Sequence, residues 1–104
     1  MKINVYSVKD TAVGRFSSTP FMLENDEVAK RTFATAINSG SQSQVAVYYK
    51  DMQLWKLGEF EDRSGELTND VYLVCNGVDV KEVSTKGEED GSNTNNTNSE
   101  ETNF

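Results

Sequence analysis

A chain of 104 residues has room for one compact domain and little more. It holds one cysteine and no histidine, which excludes an internal disulfide, an ordinary zinc site and the commonest general base. The net charge of −7 gathers at one end. From Gly87 onward there are five acids (Glu88, Glu89, Asp90, Glu100, Glu101) and no Lys or Arg, so residues 1–86 carry twelve acids, all ten bases and a net of −2.

Met1-Lys2-Ile3-Asn4 opens without the long apolar run of a signal peptide. No later stretch nears the ~20 apolar residues of a membrane span, so the expected location is a reducing cytoplasm. Residues 2–8 are β-branched and aromatic with partial alternation, and predict a first strand. Gly14 closes a polar turn, Arg15-Phe16 begins a short extended piece, and Pro20 fixes a bend. Asn25 is a good N-cap, with Asp26 and Glu27 suited to the positive end of a helix dipole. Val28, Ala29, Thr32, Phe33, Ala36 and Ile37 then fall on one stripe, and Asn38-Ser39-Gly40 is a stop; the spacing predicts a helix over 26–38.

Residues 45–49 and 52–60 have strand composition, with Lys50-Asp51 between them as a turn or bulge. The polar run 61–66 is a turn in which Gly65 supplies a positive φ. Residues 71–75 predict another strand, where Cys75 packs as an inert apolar group. Asn76-Gly77 signals a tight hairpin returning along 78–83. The fold class is α+β: a small antiparallel sheet or partly closed barrel of five or six strands, covered by one helix. Residues 1–86 form the single domain. The segment 87–104 has no apolar residue before Phe104, too little to offset its ordering entropy, and is expected to be a disordered acidic tail.

Catalytic chemistry finds no footing. There is no Gly-rich phosphate loop, and the acids Asp62 and Glu66 sit on a turn rather than in a cleft that would perturb them. The expectation is a non-enzymatic binding protein without metal or cofactor. Rings beside cations occur at Arg15-Phe16, Tyr48-Tyr49-Lys50 and Trp55-Lys56, the residue types that stack bases and meet phosphates in single-strand binders. Adjacent strand residues point to opposite faces, so Trp55 and Lys56 are expected to part company. The candidate nucleic-acid contacts are Arg15, Phe16, Tyr49, Lys50, Trp55 and Lys56, with Lys30 and Arg31 as a second patch. An acidic tail ending in Phe resembles the tails of phage and bacterial single-stranded DNA-binding proteins. That resemblance implies a role for Glu100, Glu101 and Phe104 in competing with DNA or anchoring a partner.

The run Ile3-Asn4-Val5-Tyr6-Ser7-Val8-Lys9-Asp10-x-Ala12-Val13-Gly14 resembles the small nonstructural protein of gokushoviruses, single-stranded DNA phages of the Microviridae. Pro20-Phe21, Asn25-Asp26, Ala29, Arg31 and Phe33 continue it. The segment Asp51-x-x-Leu54-Trp55-x-Leu57-Gly58-x-Phe60-x-Asp62-x-x-Gly65-Glu66-Leu67 completes it, with Trp55 where Tyr is usual. The resemblance spans about residues 3–82. It implies a phage protein made in the infected cell, nonstructural or DNA-binding, with a part in single-stranded genome synthesis; together with the rings and cations, the expectation is a protein that binds single-stranded DNA with little sequence preference during genome replication or packaging. A near-neutral body favours a rival, a protein–protein adaptor that modulates infection without touching DNA. A homodimer is expected if the sheet leaves an edge to pair.

Overall fold

The structure, a computed structural model, describes residues 1–40 and 43–82. The expected tail, with Glu100, Glu101 and Phe104, and the end of the expected last strand at Val83 lie outside the described residues. In chain order the elements are β1 (Lys2–Asp10), β2 (Arg15–Phe16), β3 (Phe21–Leu23), α1 (Asp26–Ile37), α2 (Gln44–Val47), a 3-10 turn (Tyr49–Asp51), β4 (Met52–Glu61), β5 (Leu67–Asn76) and α3 (Gly77–Val80). All strand pairings are antiparallel, in the order β2-β1-β4-β5, with β3 also pairing β1. The sheet is open: β5 ends it on one side, and β2 and β3 share the other.

The helix forms where its stripe places it. Asn25 Oδ1 accepts a hydrogen bond from the Val28 amide at 2.9 Å, satisfying one of the free donors of the first turn. Ala29, Phe33 and Ile37, spaced by four, are buried against Tyr6, Met52 and Leu54. At the other end Asn38 Nδ2 donates to the carbonyls of Ala34 and Val80, while its Oδ1 accepts from the Glu82 amide at 2.9 Å. One side chain thus closes α1 and ties α3 to it.

Two expectations are corrected. Residues 45–49 are not a strand: the helix Gln44–Val47 and the 3-10 turn from Tyr49 replace it, because Val45 and Tyr49, four apart, both reach the core while Ala46 is buried between them. Packing here overrides the strand preference of Val45 and Val47. Nor does Asn76-Gly77 turn a hairpin. Asn76 precedes α3, with its amide and side chain both directed to Asp79 Oδ2 at 3.3 and 3.4 Å, and residues 78–80 are helical. Gly77 is needed for closeness rather than for a turn: a Cβ there would overlap the carbonyl of Tyr49. The short strand β3 had no counterpart in the sequence reading.

Strand register divides the side chains. Asn4, Tyr6 and Val8 share a face with Met52, Leu54 and Lys56, and the helices lie on it. Ile3, Val5, Ser7 and Lys9 share the other with Gln53, Trp55 and Phe60. Between Val5↔Gly58 and Tyr6↔Lys56 the register slips by one, leaving Leu57 unopposed. Gly58 sits in this bulge, where a Cβ would run into the Thr68 carbonyl of β5. Gly58→Ala should therefore destabilise the fold by about 1–3 kcal/mol or more, through overpacking. Urea denaturation would register it as a lower midpoint.

Candidate nucleic-acid interface

The helix-free face of the sheet brings together residues that are far apart in sequence. Lys9 on β1 pairs with Phe16 on β2, and Ser7 with Trp55 on β4. The rings of Phe16 and Trp55 meet edge to face, centroids 5.9 Å apart at 82°. Lys9 Nζ lies 5.4 Å from the Phe16 centroid and 5.5 Å from that of Trp55, attracted by both ring faces. Trp55 Nε1 donates to Gln53 Oε1 at 2.9 Å, and Gln53 Nε2 donates in turn to Asn76 Oδ1 at 2.9 Å. This chain fixes the indole in orientation. Ser7, buried beneath the cluster, donates to the Ser17 carbonyl at 3.2 Å and holds the following loop against β1. Phe16 keeps 39% of its surface exposed, and Trp55 is half-buried.

Arg15, paired with Asp10, projects to the helix side. There it rims a groove of about 480 Å³ floored by Val8, Phe21, Val45 and Met52. Cations thus stand on both sides of the β1–β2 edge, Lys9 on the open face and Arg15 behind it.

The remaining candidates do not join this cluster. Lys56 points to the helix face, as alternation requires, and is 6% exposed. Its ammonium lies 3.4 Å from both Glu59 and Asp70 and 5.5 Å from the Tyr72 ring. Burial alone would lower its pKa; Tyr72, Asp70 and Glu59 outweigh that and raise it. Lys30 and Arg31 are on α1, on the far side of the sheet from Trp55, with Lys30 3.8 Å from Glu27. Tyr49 packs against the core with Lys81 Nζ 5.0 Å from its ring, while Lys50 is exposed on the 3-10 turn. Lys9 and Gln53 were missed by sequence reading because neither has a ring beside it in the chain. Lys9 does alternate in phase with Val5 and Ser7, the only local sign of its face.

On the helix side one carboxylate organises the strands. Asp26 accepts hydrogen bonds from Tyr6 and Tyr72, both at 2.6 Å, joining β1 and β5 to the start of α1. Burial would raise its pKa, but the two phenols, with the nearby Lys56 charge, hold it below the usual carboxylate range. A carboxyl depressed in the folded state stabilises fully above its unfolded value near ~3.9, and the gain is lost as pH falls through the folded value. Asp26→Asn should therefore flatten the loss of stability as pH falls below about 5, as read by urea midpoints across pH. The Cys75 thiol, half-buried against the core, is pushed up by desolvation, away from the reactive thiolate.

A model of the family described as Phage ORF5 protein matches residues 3–80, most of the chain. The chain belongs to this family. It is a phage protein, and the match takes in every described strand and helix apart from the first residue of β1. No curated protein and no solved structure matches it significantly. Among the described residues, no helix of this family member is long and apolar enough to cross a membrane.

Proposed function

We propose that this phage protein, of gokushovirus type, is a non-enzymatic single-stranded DNA-binding protein of genome replication or packaging, working in the cytoplasm of the infected host. Bases stack at Phe16 and Trp55 on the open face beside Lys9, which meets the flanking phosphate, and Arg15, behind the β1–β2 edge, meets the strand only where it rounds that edge. One observation carries this reading: two rings brought edge to face on an uncovered sheet, with a cation 5.4 and 5.5 Å from their centroids. Antiparallel sheets that present aromatics in this way read single strands through stacking, which tolerates any base. The acidic C-terminal segment, through Glu100, Glu101 and Phe104, competes with DNA or recruits a partner.

A titration with oligo(dT), followed by fluorescence of the sole tryptophan, tests the proposal. The expected result is quenching that is stronger for a chain ending at Lys86 than for the full chain. With one cation on the face and a second behind its edge, the slope of log K against log salt should be shallow, between about −0.7 and about −1.4. Absence of quenching in both forms at low salt defeats the reading.

A second reading, the protein–protein adaptor, draws on the scatter of Lys30, Arg31, Lys50 and Lys56 over other parts of the molecule. It predicts no oligo(dT) binding by either form.

A further inference from the structure

Beyond the Phe16–Trp55 cluster, the open face changes character. Toward the β4–β5 turn it presents Ile3, Val5, Met22, Phe60, Leu67 and Val71, placed side by side by the pairings Ile3↔Phe60, Val5↔Met22 and Phe60↔Leu67. Met22 is 52% exposed, Leu67 71% and Val71 57%. Antiparallel sheets with one solvated face normally alternate apolar with polar residues. Here the end of the open face near the β4–β5 turn is apolar as well as the core side, yet the helices cover only the core side.

We infer that this distal half of the open face is the interface of a homodimer, two copies packing sheet on sheet about a twofold axis. Two observations favour a second copy over another occupant. No charged side chain of the strands projects from the face beyond Lys9; Glu59 and Glu61 follow the helix-side register and Asp70 turns back to Lys56. The patch is therefore complementary to itself, as a twofold contact requires. The size also fits. At these exposures the side chains leave on the order of 500 Å² of apolar surface, as large as the patches that mark interaction sites on monomers. Since homodimer interfaces are about 65% apolar, that corresponds to roughly 800 Å² per partner, the size of a standard stable interface. Aligned sheets about 10 Å apart would bury the distal residues and leave Lys9, Phe16 and Trp55 at the margin. The inference stands whether or not that cluster binds DNA.

Sedimentation equilibrium of the full chain, over micromolar to sub-millimolar concentrations, tests it. The expected mass is twice that of the 11.6 kDa chain, falling on dilution. Leu67→Asp and Val71→Asp should each weaken association at least tenfold, while Val78→Asp, exposed on α3 away from the face, should not. Met22→Asp reads the same face from another strand, so the test does not hang on the β4–β5 hairpin; circular dichroism checks that each variant is folded. A monomer at every concentration overturns the inference. So does a dimer indifferent to all three face substitutions, which would place pairing elsewhere, such as the β5 edge. A monomer whose open face binds an apolar dye only after removal of residues 83–104 would assign the face to the chain's own C-terminal segment, and equally overturns it.

Discussion

Trp55→Ala is expected to weaken oligo(dT) binding by about 10- to 100-fold, the loss of one stacked base worth roughly 1–3 kcal/mol. Fluorescence anisotropy of a labelled oligonucleotide measures it, since the variant has no tryptophan of its own. The indole is half-buried, but its outer part makes the platform, and Gln53 and Phe16 hold its orientation. Removing it therefore costs contact area more than fold. Phe16→Ala should act in the same direction with the native Trp55 signal retained. The control is Lys56→Ala. Although adjacent in sequence, Lys56 lies across the sheet between Glu59 and Asp70, so its loss should lower stability and leave the affinity of the folded fraction nearly unchanged. If Lys56→Ala and Trp55→Ala weakened binding alike in folded protein, the assignment of faces would be wrong.

Phe33→Ala is expected to have the largest effect on stability, about 3–5 kcal/mol. Phe33 is the largest buried side chain of α1 and sits between Ala29 and Ile37 over the strands. Few residues share that duty. Among the described residues the buried apolar set is Tyr6, Ala29, Phe33, Ile37, Ala46, Met52 and Leu54. A core this small has little room to relax around a phenyl-sized cavity, so a loss of this order is a large part of the stability of a domain of this size. Urea unfolding by far-UV circular dichroism would show the midpoint fall steeply. A change below about 1 kcal/mol would mean that α1 packs elsewhere, since surface-like sites give effects of that size.

What the sequence disclosed was mostly local. Asn25, the stripe through Ala29, Phe33 and Ile37, and the stop at Asn38 are decided within one helix, and α1 forms within a residue of its expected end. Gly65 takes its positive φ of 77° because the turn requirement is equally local. Alternation parted Trp55 from Lys56 for the same reason. What stayed hidden depends on distant partners. Val45 and Tyr49 become helical because the core lies on one side of them, and nothing between Ser43 and Asp51 announces that. Asn76-Gly77 carries the signature of a hairpin, but the Tyr49 carbonyl lies where a side chain would be, so its glycine serves packing instead. The candidate site shows the same limit. Phe16 and Trp55 were legible as rings beside cations, yet the cation that joins them is Lys9, brought in by pairing β1 with both β2 and β4. Neighbours in sequence, Arg15 and Lys56, went to the opposite face.

On the proposed function, the open face around Phe16 and Trp55 receives single-stranded DNA. The most direct test is a two-dimensional ¹⁵N–¹H spectrum of the full chain titrated with oligo(dT). The Trp55 indole signal and the amides of Lys9, Phe16 and Gln53 should shift in a saturable way, while those of Lys30 and Arg31 on α1 stay in place. Shifts confined to α1, or a spectrum unchanged by excess oligonucleotide, would contradict it.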